Sequence, residues 1–239
     1  MNDLPPVIRS LRHRDYRLFV AGQLVSLVGT WMQSVAQAWL VYRLTGSAAM
    51  LGLIGFASQI PVLLLGPAGG AAADRLSRRR VIIATQSAST ILAVTIAALT
   101  LSGHIRIWHV FVLAGLLGVV NAFDVPARHS FIVEMVGRED LMNAIALNSS
   151  IFNGARVLGP AVAGVLVATI GEGWCFVVNA ASYAAVIAGL LLMPGPTAAR
   201  APHAGSAIRS MIEGFQFVAR TAPIRALLLL VGLASLKLR

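Results

Sequence analysis

Cysteine and charge are both scarce in this chain. Its one cysteine, Cys175, excludes an intrachain disulfide and leaves no thiol cluster for a metal; it reads as a small apolar residue in a helix. Charged residues make up 12% against 57% hydrophobic, and the mean hydropathy is +0.80. That balance excludes a soluble globular domain and puts the chain in a bilayer. Carboxylates are the scarcest charges: Asp3, Asp15, Asp74, Asp124, Glu134, Glu139, Asp140, Glu172 and Glu213 all fall outside the apolar stretches. No membrane-embedded carboxylate is therefore expected. An intramembrane protease would need a serine with a histidine, paired membrane aspartates or an H-E-x-x-H helix. His13, His104, His109, His129 and His203 all lie between the apolar stretches or at the edge of one, so the chain is not read as an enzyme, and no cofactor or metal is expected.

What is present is a series of long apolar runs. Runs of about 20 apolar residues, the length that crosses a membrane, occur at 18–41, 50–73, 81–102, 107–123, 144–170 and 174–193. The expected fold is all-α and polytopic: a basic arm (1–17), a six-helix transmembrane bundle (18–193), a linker with an amphipathic helix (194–225) and an incomplete seventh helix (226–239). A basic arm before an apolar run also describes a signal peptide, with Ala36 and Ala38 as an A-x-A pattern, but the run is too long for a signal core. The formal charge of +10 does not argue for nucleic acid, because the basic residues are scattered between apolar runs. Fourteen lysines and arginines fall on the side of the N-terminus and two, Arg43 and Arg106, on the other. By the positive-inside rule the N-terminus is cytoplasmic.

Between residues 206 and 220, Ile208, Met211, Ile212 and Phe215 recur at helical spacing. Such a helix lies on the inner membrane surface or packs on a partner half. The last apolar stretch has too few residues before Lys237 to cross about 30 Å of hydrocarbon. The chain is expected to be truncated, with a missing C-terminal half or a second copy as its partner.

Two spans carry polar residues in a pattern. Gln23, Ser26, Thr30, Gln33, Ser34 and Gln37 recur every three or four residues and share one face of the first span. They line a substrate cavity or act as interhelical glue. In the fifth span Asn153, Arg156 and Pro160 share a face, and Arg156 lies roughly 18 Å along the helix, near the midplane. It is a site for an anionic or polar substrate group, or an arginine that snorkels to the surface. Gly159, Pro160 and Gly164 follow as a hinge or close-packing segment.

Between the second and third spans stands GGAAADRLSRRR, residues 69–80. Gly69 and Gly70 are expected to let helices approach closely, and Asp74 to hold arginines or a helix N-terminus. The pattern G-x-x-x-D-R-x-x-R-R from Gly70 to Arg79 resembles the loop between helices two and three of the major facilitator superfamily, although Ser77 replaces a family glycine. LGPAVAG, residues 158–164, resembles the glycine and proline motif of its antiporters and exporters, with a weak echo at Gly66 and Pro67.

Residues 29–47, 122–131 and 137–160 are similar to the enterobactin-exporter-like branch, also described as transmembrane secretion effectors. The resemblance implies the N-terminal six-helix bundle, a 3+3 inverted repeat, of a twelve-helix exporter of siderophores, macrolides or similar small molecules in the bacterial inner membrane. It also implies an inner gate in which Asp124 and Arg128, at the inner end of the fourth helix, join Asp74 and the arginines Arg75, Arg78 and Arg79. The alternative is a truncated, non-transporting interaction protein or an inactive remnant.

Overall fold

The computed structural model of the chain describes residues 6–193, with side chains from residue 9 onward. The expected linker, amphipathic helix and seventh apolar stretch lie outside the described residues. A 3-10 helix at Pro6–Arg12 leads into α1 (Arg14–Thr45), α2 (Ala48–Arg75), α3 (Arg78–Leu101), α4 (Ile107–Val136), α5 (Leu141–Thr169) and α6 (Glu172–Leu191). All six α-helices are long and apolar enough to cross a membrane, and among the described residues there is no strand. At 32 residues, α1 is roughly 48 Å long, so its ends outreach the hydrocarbon.

Two expected loops prove mostly helical. The polar residues from Asp124 onward end the apolar run at residue 123 and point to a loop, yet α4 continues to Val136. Ala127, Phe131, Ile132 and Val136 are buried on the inner side of this extension, while Asp124 and Arg128 satisfy each other one turn apart. The connection to α5 shrinks to four residues, 137–140. There Gly137, at φ +69°, adopts the left-handed backbone that a side chain disfavours. Likewise α2 runs through Gly69 and Asp74 to Arg75, leaving only Leu76 and Ser77 between α2 and α3.

Packing repeats with a period of three helices. The main contacts are α2 on α4, α1 on α5, α1 on α6, α3 on α4, and α3 on α6. Shifting every helix by three places maps this set onto itself, as an inverted repeat requires. The counterpart helices α2 and α5 are also the most open, with 6% and 17% of their apolar stretches buried against 33% or more in the others.

Close approach depends on particular glycines. A Cβ on Gly69 would collide with the carbonyl of Ala122 in α4, an oxygen that Pro126 cannot bond within the helix. Gly70 meets nothing within 4 Å, so the tight α2–α4 crossing belongs to Gly69 alone of that pair. Gly66, the expected echo, also faces open space, whereas Gly118 of α4 abuts the backbone of Ser58.

Besides a small cluster of Ala93, Ala180 and Tyr183, the core has two large apolar clusters. One gathers Met32, Leu40, Ile96, Val110 and Phe176; the other gathers Tyr16, Phe19, Ile82, Phe131, Val186 and Leu190 at the end bearing the N-terminus. Along α1, α3, α4 and α6 the buried polar residues Ser26, Gln86, Asp124 and Asn179 fall between the two.

Candidate functional site

The polar face of α1 divides in two. Gln23 and Gln33 are buried, at 6% and 7% exposure, as the interhelical-glue alternative expects. Gln33 Oε1 accepts a hydrogen bond from Asn179 Nδ2 of α6 at 2.6 Å, and the same amide nitrogen lies 3.2 Å from the Tyr183 hydroxyl. Ser182 donates to the Asn179 carbonyl at 2.7 Å. Gly29 makes room: a Cβ there would strike Asn179 Oδ1 and Ser182 Oγ. Asn179, Ser182 and Tyr183 were not singled out from sequence, although their three- and four-residue spacing would have marked a polar face on α6.

Thr30 and Ser34 are exposed and Gln37 is half-buried, whereas α5 packs on the Val28, Trp31 and Met32 side of α1. There Gly159 brings the helices together, its Cα side lying against Trp31, Met32 and the Val28 carbonyl. Gly164 meets nothing within 4 Å and α5 is continuous across Pro160. Of the expected hinge residues, Gly159 therefore acts as a contact and Gly164 faces open space. Asn153 and Arg156 are exposed on α5. Asn153 Nδ2 donates to the Ser149 carbonyl at 2.8 Å, leaving its Oδ1 outward. The Arg156 guanidinium lies over the Trp31 ring, 5.5 Å from its centroid, and Phe152 meets Trp31 edge-on at 5.6 Å. Among the described residues no carboxylate pairs with Arg156. A mid-helix cation of this kind must face water or protein and not lipid.

The second constellation sits at the end bearing the N-terminus. Asp124 is buried at 4% exposure, which corrects the expectation that every carboxylate lies outside the apolar core. It survives there because Thr85 donates to it at 2.6 Å, Gln86 at 3.1 Å, and Arg128 pairs with its other oxygen. A buried carboxylate is tolerated when it is both paired and hydrogen-bonded. Thr85 and Gln86, adjacent polar residues inside an apolar run, were the missed signal.

Arg78 pairs with Glu134 of α4 at 3.1 Å and reaches the Ala73 carbonyl at 3.3 Å. Arg79 donates to the Leu190 carbonyl at 2.8 Å, placing a cation on the negative end of α6. Asp74 and Arg75 are exposed and, among the described residues, make no ion pair. Asp124 and Arg128 thus form one cluster, and Asp74 stands apart from it.

The basic arm is also organised. Arg12 and His13 reach Asp140 Oδ2 at 2.7 and 2.8 Å, and Arg9 reaches Oδ1 at 3.0 Å. The Ser10 backbone donates to Asn143 at 2.8 Å, and the Tyr16 hydroxyl donates to the Ala144 carbonyl at 2.9 Å. The hydrogen bond from His13, helped by the charges of Arg12 and Arg9 against the opposing effect of desolvation, holds the Asp140 carboxyl below the usual range. At the opposite end Arg43 of α1 pairs with Glu172 of α6.

Helix count, helix lengths and the threefold shift in packing partners define a multi-pass membrane bundle built as a repeat. Transmembrane secretion effectors match residues 7–235, and the chain belongs to this family of the major facilitator superfamily, a family of membrane transporters and not of enzymes. It is 29% identical to the staphyloferrin A transporter of Staphylococcus aureus, over 74% of this chain and 45% of that protein. Identity to the multidrug efflux pump Tap of Mycolicibacterium fortuitum is 29% over 88% of this chain and 53% of the pump. Macrolide efflux protein A of Streptococcus pyogenes is 28% identical over 61% and 36%. The chain thus spans about half the length of the curated relatives it matches. No solved structure matches it.

Proposed function

We propose that this chain is the N-terminal half of a secondary exporter that moves a small molecule, such as a siderophore or a macrolide-like drug, out across the inner membrane by alternating access. The observation that carries the reading is Arg156, a mid-helix cation without a carboxylate partner on the open α1–α5 face. Thr30, Gln37, Asn153 and Arg156 form the substrate surface, which a C-terminal half or a second copy closes from the other side. The relatives' named cargoes, a siderophore and drugs, support a small organic substrate.

In the same reading the N-terminus is cytoplasmic, and the inner gate is built from Gly70, Asp74, Arg75, Arg78, Arg79, Asp124 and Arg128. Arg78, Arg79, Asp124 and Arg128 hold the inner ends of α2, α3, α4 and α6 together. Asp74 and Arg75 are free to engage the other half during rocking about the midplane.

The test is substrate accumulation in cells stripped of their own efflux pumps, expressing the chain alone and with a second half. Accumulation of a carboxylate-bearing siderophore should fall severalfold, and Arg156→Gln should restore it. If neither arrangement lowers accumulation of a macrolide or a siderophore, the exporter reading fails and a non-transporting interaction protein becomes the better account.

A further inference from the structure

The open α1–α5 face carries enough chemistry to name the class of molecule it takes. Every other arginine among the described residues lies near a helix end or pairs with a carboxylate. Arg156 is at the middle of α5 and has only the Trp31 ring beneath one face of its guanidinium. A cation–π contact occupies that face and leaves the in-plane N–H donors, the ones that grip an acid in a fork, without an acceptor.

Within a turn along α5 stand two acceptors. Asn153 commits one of its two amide N–H groups to Ser149 and keeps its carbonyl oxygen as an acceptor, and Pro160 cannot donate to the Arg156 carbonyl one turn back. An acid arriving at Arg156 would therefore be flanked by oxygens that welcome an adjacent N–H or O–H. Trp31 and Phe152, edge to face, supply an aromatic wall beside it.

We propose that this face is an anion-recognition site for a small amphiphile whose carboxylate or sulfonate, with a neighbouring N–H or O–H, sits on Arg156 while its aromatic body lies against Trp31 and Phe152. The assignment rests on reading the face as the substrate surface and goes further by fixing the sign of the cargo. A neutral molecule of the same shape gains the aromatic contact and loses the charged fork. A cationic one is repelled.

Trp31 is its own reporter. The full chain, with Trp39, Trp108 and Trp174 changed to Phe, is placed in nanodiscs of uncharged lipid and titrated with 8-anilinonaphthalene-1-sulfonate. The neutral N-phenyl-1-naphthylamine keeps the N–H and lacks the acid. Saturable quenching of Trp31 by the sulfonate is expected, weakened at least tenfold by Arg156→Gln and partly retained in Arg156→Lys, with the neutral probe indifferent to both.

Equal sulfonate affinity in Arg156→Gln, or a neutral probe that binds as tightly as the sulfonate, overturns the proposal. So does a change of oligomeric mass in Arg156→Gln, which would make the arginine's partner a second copy. Because Arg156 is exposed, the variant is expected to fold, and an unchanged near-ultraviolet circular dichroism spectrum checks this. Binding needs no transport: Arg156-dependent sulfonate binding in a chain that moves nothing overturns the exporter reading alone. Efflux that ignores the charge of the probe overturns this one alone.

Discussion

One helix, α1, presents polar residues to two different neighbours, and the two seams behave oppositely. Against α6, Gln33 is buried in a closed set of hydrogen bonds with Asn179, Tyr183 and Ser182, at a place where Gly29 removes the side chain that would hold the helices apart. Toward α5, Trp31 lies under the exposed Arg156, Asn153 stays exposed, and Gly159 makes the tight crossing. Polar groups in a membrane bundle thus serve as glue where they bond to one another across a seam. They become a recognition surface where donors and acceptors are left over.

The largest expected effect comes from forcing the closed seam open. Gly29→Ala drives a methyl into Asn179 and Ser182, and should destabilise the detergent-solubilised chain by about 1–3 kcal/mol, the usual range for overpacking. Its control is Gly154→Ala on α5, which meets nothing within 4 Å and should leave the melting temperature unchanged or slightly higher. Equal losses in the two variants would erase the distinction between the seams.

Next comes Asn179→Leu, which leaves Gln33 Oε1 buried without its donor and should cost about 1–2 kcal/mol. Adding Gln33→Leu should recover part of that loss, because replacing both partners removes the unmet group. A double variant as unstable as the sum of the singles would mean that the two residues do not act as a pair. On the open seam Arg156→Gln should shift stability by less than about 0.5 kcal/mol, as surface changes do, while efflux of an anionic siderophore is lost. A large fall in melting temperature would instead make Arg156 a structural residue.

The smallest effect concerns pH. Asp140 has a folded-state pKa below its unfolded value, so its stabilising contribution is complete above the unfolded value of about 3.9 and is lost as pH falls through the folded one. The hydrogen-exchange protection of residues 9–13 should therefore hold from pH 8 to 5 and fall only in stronger acid. A loss of protection well above the carboxylate range would show that Asp140 does not control the docking.

Hydropathy and the distribution of arginine were enough to read six spans, because burying some 20 uninterrupted apolar residues leaves a chain few alternatives to a membrane helix. Where a helix continued through mixed residues, hydropathy failed. Asp124, Arg128 and His129 look like a loop until Thr85 and Gln86 are seen to satisfy the aspartate from another helix.

Helical spacing placed Gln23, Thr30, Gln33 and Gln37 on one stripe of α1, since 3.6 residues per turn is a property of the backbone. Which part of that stripe α6 covers was decided only when the helices packed. The glycines divide in the same way. Gly69 and Gly70 are alike as letters, and only the approach of Ala122 distinguishes the one that cannot be replaced. Local periodicity is written in the chain, whereas the identity of the neighbour across a seam is a property of the fold.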